Sequence, residues 1–445
     1  MASLLWKEIK NIIKLSFPIA TSAIAISLMG IVDTMMVGNY NTEQLAYVGI
    51  ATAVFVFLFY VPMSLLQGVQ IRASQEFGAR NFANCGKIYQ QGQRYAWMLG
   101  ILFMLIGLNG EKILTMLGQN PAMAENGGRI LMILALSIPG IMQFENANFF
   151  LQSIRRQHVA MYASLIANLI NIVLNYALVY GHWGFPEMGA VGSAITTLTV
   201  RSFLGAFMLA YIHRMKKTPK LCQRFGLNFP VIQWWQNSKD VRQLGWWIAV
   251  TCFTLDGSYM IVNIFAGWLG EIPMATFVII SNITGFIFMI GFAFSQSISI
   301  RVANAFGRKD QQGMLRALYA GSLVWFVVFT VISMGLYSFP DAIFGIFTND
   351  SRLLEVIRAL VGLVILECLI ENMPLNLNGA LNGRGDVKIP SYIQAFSFLL
   401  VRLSAAYIFT FQWNMGIRGL YWGMITGGFA SFILHLWRLI VVYRK

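Results

Sequence analysis

The hydrophobic positions of this 445-residue chain come in long unbroken runs rather than in stripes. Runs of roughly 20 apolar residues are what a helix needs to cross a bilayer. They predict twelve helical spans, near 12–37, 47–69, 95–117, 130–151, 160–181, 189–212, 244–267, 274–299, 317–338, 357–379, 390–411 and 417–440. Polar residues gather in the short stretches between. The longest of these runs from Lys216 to Asp240 and carries Pro219 and the Trp234-Trp235 pair, which suits an interfacial anchor. Pro18, Pro62, Pro139 and Pro374 fall within the first, second, fourth and tenth spans, and each frees a backbone carbonyl there.

The pattern also repeats. Ile71-Arg72-x-x-x-x-Phe77-Gly78-x-Arg80-Asn81 returns 229 residues later as Ile300-Arg301-x-x-x-x-Phe306-Gly307-x-Lys309-Asp310. The same offset aligns Gly38 with Gly267, Leu45-Ala46 with Met274-Ala275, and Gly92 with Gly321. A register held through loop, helix and loop marks a duplication, and it assigns six spans to each half. The expected architecture is an all-α integral membrane protein: twelve transmembrane helices in two pseudo-symmetric six-helix lobes around a central cavity. Residues 1–215 form the amino-terminal lobe, 216–243 a cytoplasmic linker and 244–445 the carboxy-terminal lobe. Paired halves with a site near mid-bilayer are a recurrent transporter plan.

Composition agrees, with 57% hydrophobic and 11% charged residues; soluble domains carry about 45–50% and about 25%. A net charge of +14 would suit nucleic acid if the basic residues formed a patch, but most lie on alternate loops. Lys7, Lys10 and Lys14 precede the first span; Arg72, Arg80, Lys87 and Arg94 follow the second. Arg155-Arg156, the run from Arg214 to Arg242, Arg301 to Arg316, Arg384 with Lys388, and Arg438 to Lys445 continue the series. The positive-inside rule then places both termini in the cytoplasm of an inner-membrane protein whose charge meets anionic lipid, with no nucleic acid as partner. The first apolar run is span-length and lacks a small-residue cleavage pattern, so it reads as a retained helix. Arg201 and Arg402 are left inside spans.

Enzyme chemistry finds no foothold. His158, His182, His213 and His435 are scattered without HExxH spacing, and no phosphate-cradling glycine motif or nucleophile elbow occurs. Cys85, Cys222, Cys252 and Cys368 lie too far apart for a disulfide framework or a CxxC metal site. Short loops offer no docking domain, so the expectation is a monomer without a bound cofactor.

Five carboxylates fall within spans: Asp33, Glu145, Asp256, Glu367 and Glu371. Each costs at least about 2.5–3.5 kcal/mol at the bilayer centre, so such groups face the protein interior and mark ion or substrate paths. Asp33 is either a cap near the outer end of the first span or a carboxylate that takes and releases a proton. Asp256 sits mid-span with no basic neighbour in sequence. Glu367 and Glu371 stand at i and i+4 on one helix face and cannot both ionise cheaply without a cation or a shared proton. An oxygen-rich pocket of Asp256 with Glu371, aided by Glu367, Asn372 or Thr254, would suit Na+ or H+, with Asp256 and Glu371 as the candidate Na+ ligands. Glu145 in Glu145-Asn146 matches Glu371-Asn372 at an offset of 226 residues. Asn171 and Asn175 share a face of the fifth span, either joining helices or lining a cavity with Asp33.

Val32-Asp33-Thr34-Met35-Met36-Val37-Gly38, Asn175-Tyr176-Ala177-Leu178-Val179-Tyr180-Gly181 followed by Gly189-Ala190-Val191-Gly192-Ser193-Ala194, and Gly379-Ala380-Leu381-Asn382-Gly383-Arg384-Gly385-Asp386 carry a likeness. Over essentially its full length the chain resembles multidrug and toxic compound extrusion (MATE) transporters of the NorM-like branch. The resemblance implies export of small organic cations coupled to inward Na+ or H+ flow. It implies a proton-coupling role for Asp33 and cation binding at Asp256 and Glu371. At those two positions Asp and Glu are exchanged relative to the usual pattern. Asn175 stands where another branch has aspartate, and Asn382 where arginine is usual. The alternatives are a flippase for lipid-linked oligosaccharide or peptidoglycan precursors, which calls for cationic cavities, and a receptor or scaffold that moves nothing.

Overall fold

The computed structural model describes residues 2–228, 234–348 and 350–444; positions 229–233 of the expected linker lie outside the described residues, as does Lys445. Every regular element among the described residues is helical. The order is α1 (Ala2–Tyr40), α2 (Thr42–Gly78), α3 (Phe82–Gly107), α4 (Gly110–Met116), α5 (Pro121–Ala135), α6 (Ile138–Ser153), α7 (His158–Tyr180), α8 (Gly189–Lys217), α9 (Pro219–Phe225) and α10 (Trp234–Asn237). Then follow α11 (Lys239–Trp268), α12 (Glu271–Gly307), α13 (Gln311–Ser338), α14 (Pro340–Phe344), α15 (Ser351–Arg384), α16 (Lys388–Ala395), α17 (Leu403–Tyr407) and α18 (Ile417–Tyr443). π-helical turns, Phe396–Arg402 and Ile408–Gln412, flank α17 and join it to α16 in one continuous rod.

Among the described residues, nine helices are long and apolar enough to cross a membrane, and two bent pairs raise the number to eleven. The bends correct two predicted spans. The third ends at Gly107, and α4 turns away by 62°; the fourth breaks between α5 and α6 with a 41° bend, beside Pro139. Pro18, Pro62 and Pro374 instead sit inside unbroken helices. The twelfth span is α15, whose mean hydropathy is lowered by Glu367, Glu371 and four asparagines between positions 372 and 382.

The duplicated motif builds the same turn twice. After α2, Arg80 takes a left-handed conformation (φ 64°), and Asn81 N–H donates to Glu76 O; after α12, Lys309 does the same (φ 59°), and Asp310 N–H donates to Ala305 O.

The chain divides into two compact units, one of Thr21–Ala249 and one of Met1–Ala20 with Val250–Lys445. This differs from the expected lobes at the leading end of each half. In the second unit, Ile12 packs in the core with Ile298 and Leu318, while Leu15 and Ile19 pack against Ala293 and Ile300. Arg301 there binds Glu8 through two hydrogen bonds, of 2.6 and 2.8 Å. In the first unit, the start of α11 lies on α2 so closely that a Cβ at Gly245 would strike the Leu65 backbone. Each half thus lends the beginning of its first helix to the other unit. The first unit's core is built around Phe55, Tyr89, Phe144 and Phe150, and the second's around Phe277, Trp325, Phe329 and Tyr421.

Candidate functional site

In the first unit, α1 is fastened along its length to α7. Ser22 Oγ meets Ser164 Oγ at 2.9 Å, Asn168 Nδ2 donates to Ala25 O at 2.7 Å, and Tyr180 Oη donates to Met36 O at 2.9 Å. Asp33 occupies the middle of this seam and is buried. Asn171 Nδ2 (3.0 Å) and Asn175 Nδ2 (2.6 Å) both donate to its Oδ1, and Thr197 Oγ from α8 donates to Oδ2 at 2.6 Å. The i, i+4 spacing of the two asparagines puts both amides on the face that meets α1. Thr197 and Arg201 share a face of α8 by the same spacing. The Arg201 guanidinium lies 4.3 Å from the Phe55 ring centroid, and its charge acts on the Asp33 carboxylate. Three neutral donors and a nearby cation suit a carboxylate held away from water. The three donors reach Asp33 from two other helices, so it is more than a cap on its own.

Glu145, also buried, lies apart from this seam on α6, the most enclosed helix of the unit. It accepts from Asn148 Nδ2 at 3.3 Å; Asn148 Oδ1 accepts from Gln152 Nε2 at 2.8 Å, and Gln152 Oε1 from Gln70 Nε2 at 2.5 Å. An amide chain takes the place of a countercharge.

The second unit is built differently. Thr254, Ser258, Val262 and Ala266 form the buried stripe of α11 at four-residue intervals. Asp256, two residues from both Thr254 and Ser258, is turned roughly 200° away from that stripe. It is exposed and makes no hydrogen bond or ion pair among the described residues. The expected pocket of Asp256 with Glu371 is therefore not assembled. Thr254 Oγ bonds its own helix at Val250 O, and Asn372 Nδ2 bonds Cys368 O.

Glu371 faces an arginine instead. Arg402 Nη2 lies 2.7 Å from Glu371 Oε1, Arg402 Nη1 is 3.4 Å from Ser258 Oγ, and the guanidinium stacks 3.8 Å from the Phe398 centroid. Arg402 is wholly buried. It ends the first π-helical turn, where the wider winding brings Phe398 and Arg402 inward together. Gly427 of α18 makes room: a Cβ there would come within 2.9 Å of Arg402 Cα. Glu367, one turn from Glu371 on the same helix, is buried. No group of three or more His, Cys, Asp or Glu side chains is placed to hold a metal among the described residues. The donors around Glu371 thus do not fit a sodium ion.

The MatE family model matches residues 18–177 and again 248–408, one match in each half of the duplication. The chain belongs to the MatE family. Two curated relatives, each named probable multidrug resistance protein NorM, come from Caulobacter vibrioides and Photorhabdus laumondii. Each is 26% identical, over 97% of this MatE chain and 92% of the former protein, and over 96% and 94% with the latter. Among solved structures, the eukaryotic MATE transporter AtDTX14 superposes with a TM-score of 0.87 at 18% identity, covering 98% of this chain and 96% of that one. An outward-facing multidrug resistance MATE family transporter reaches 0.88 at 18% identity, covering 98% and 97%. These are likenesses of fold, and with the family match they give this MatE chain a multi-pass, twelve-helix membrane architecture.

Sequence reasoning missed Thr197, Ser258 and the engagement of both arginines in this MatE chain. The signal was present, because an arginine inside an apolar run has to find an acid. Its identity was not, because Glu371 and Arg402 are joined across a turn between two helices, and Arg201 stacks on Phe55 from a helix far along the same half.

Proposed function

We propose that this MATE protein is a multidrug antiporter of the inner membrane, with both termini in the cytoplasm, that exports organic cations by alternating access in exchange for inward Na+ or H+. The observation that carries the reading is the full-length likeness to NorM-named multidrug resistance proteins. The buried carboxylates of both units support it, since each is a charge that a transport cycle can neutralise and release. A ligand shifts a conformational equilibrium only through differential affinity, so the coupling ion has to bind one state better than the other. The flippase alternative needs free cations for a diphosphate, and Arg402 is already engaged by Glu371.

The test is efflux of a fluorescent organic cation from cells stripped of their own pumps, followed by counter-flow in proteoliposomes with sodium and pH gradients imposed separately. Expression is expected to speed efflux, and dissipating the ion gradients to stop it. Purified protein that exchanges no organic cation under any gradient would leave the receptor or scaffold reading in its place.

A further inference from the structure

The surroundings of Glu367 and Glu371 contradict the sodium half of the coupling alternative. Hard cations such as sodium collect oxygen ligands. At Glu371 the facing position is taken by a guanidinium, a fixed positive charge with five N–H donors and nothing to offer a metal. Exposed Asp256, the other expected ligand, makes no bond to the site. Ser258 Oγ, on the buried face of the same helix, is spent on Arg402.

The two carboxyls have a further requirement. Glu367 is buried one turn from Glu371 on the same face of α15, and the single guanidinium there balances only one negative charge, so the second acid calls for a proton. With one proton, the two acids and the arginine are together neutral; without it, they hold one surplus negative charge. The other titratable groups acting on the pair are the phenols of Tyr259 from α11 and Tyr421 from α18, and the thiol of Cys368 on α15 itself. Tyr259 Oη donates to Ser281 Oγ at 2.6 Å. Tyr421 Oη is buried and has no hydrogen-bond partner among the described residues.

We propose that Arg402 fills, as part of the chain, the place at Glu371 that a sodium ion would take, and that the group which comes and goes at Glu367 and Glu371 is a single proton. The proton leaves the carboxyl pair as H+ to water on one side of the membrane and is regained from water on the other, so no oxidant or second reactant is involved. Its part in coupling rests on the antiport reading above; the chemistry of the trio does not.

The experiment is infrared difference spectroscopy on the full chain in detergent. A carbonyl stretch of a protonated carboxyl is expected at neutral pH, assigned to the pair by its loss in Glu367→Gln, and unmoved when choline chloride is replaced by sodium chloride. In Arg402→Met, sodium is expected to diminish the band. A wild-type band that is absent, survives Glu367→Gln or shrinks with sodium overturns the proposal. Should Glu367→Gln fail to fold, wild-type proteoliposomes decide. Exchange driven by a pH gradient in sodium-free buffer is the expected result, and exchange driven by sodium at equal pH the overturning one. Absence of exchange under every gradient counts against the antiport reading alone, and the infrared response to sodium then decides this one.

Discussion

Arg402 and Glu371 meet at 2.7 Å with the guanidinium wholly enclosed, so each charge has the other as its main reason to be tolerated there. Arg402→Met is expected to destabilise the protein by about 3–5 kcal/mol, because it strands a buried acid. Arg402→Met with Glu371→Gln should recover most of that loss, since removing both charges of a buried pair is close to neutral. Thermal unfolding in detergent for both single variants and the double variant measures the coupling.

Asp33 is bound by three neutral donors, and the one from α8 can be removed without changing side-chain shape. Thr197→Val deletes a hydrogen bond to a charged group and is expected to cost about 1.5–3 kcal/mol. Asp33→Asn should keep the fold and abolish pH-driven exchange of a fluorescent cation in proteoliposomes. Unaltered exchange would make Asp33 a tie between helices and no more.

Gly427 separates α18 from Arg402 by less than a methyl group allows. Gly427→Ala is expected to cost about 1–3 kcal/mol through overpacking. Gly335→Ala on α13, where a Cβ meets nothing within 4 Å, is the control and should be neutral in the same melting assay.

Two ion pairs at repeat-related arginines make a graded prediction. Arg301 and Glu8 are joined bidentately with side chains only 7% and 15% exposed, whereas Arg72 and Asp240 stand 3.7 Å apart at 40% and 70%. Glu8→Gln should therefore lower stability measurably. Asp240→Asn should change it by at most about 1 kcal/mol, and added salt should erase that. Equal effects from the two variants would contradict the difference in burial.

The spans were legible because hydropathy acts over twenty residues at a time, and the duplicated turn because a left-handed residue followed by Asn or Asp at the start of the next helix leaves a short fixed motif. The bends after Gly107 and before Ile138 were less visible, since a break of two residues scarcely dents such a window. Asn171 and Asn175 could be placed on one face by counting turns, and the structure puts that face on Asp33. The direction of Asp256 was knowable in the same way. Counting from Ser258 along the buried stripe turns it outward, but a lone acid in an apolar run attracted a partner that geometry does not supply. The Arg402 contact lay beyond sequence reasoning, because a π-helical turn changes the very periodicity by which faces are counted.

The borrowed helix beginnings carry a practical consequence for taking the molecule apart. A gene cut at the duplication boundary would yield two fragments, each missing the strut that completes its own packing and each carrying one it cannot seat. Fragments divided instead after Ala20 and after Ala249 would respect the packing, and the middle piece, Thr21–Ala249, is the one such a dissection should ask to stand alone.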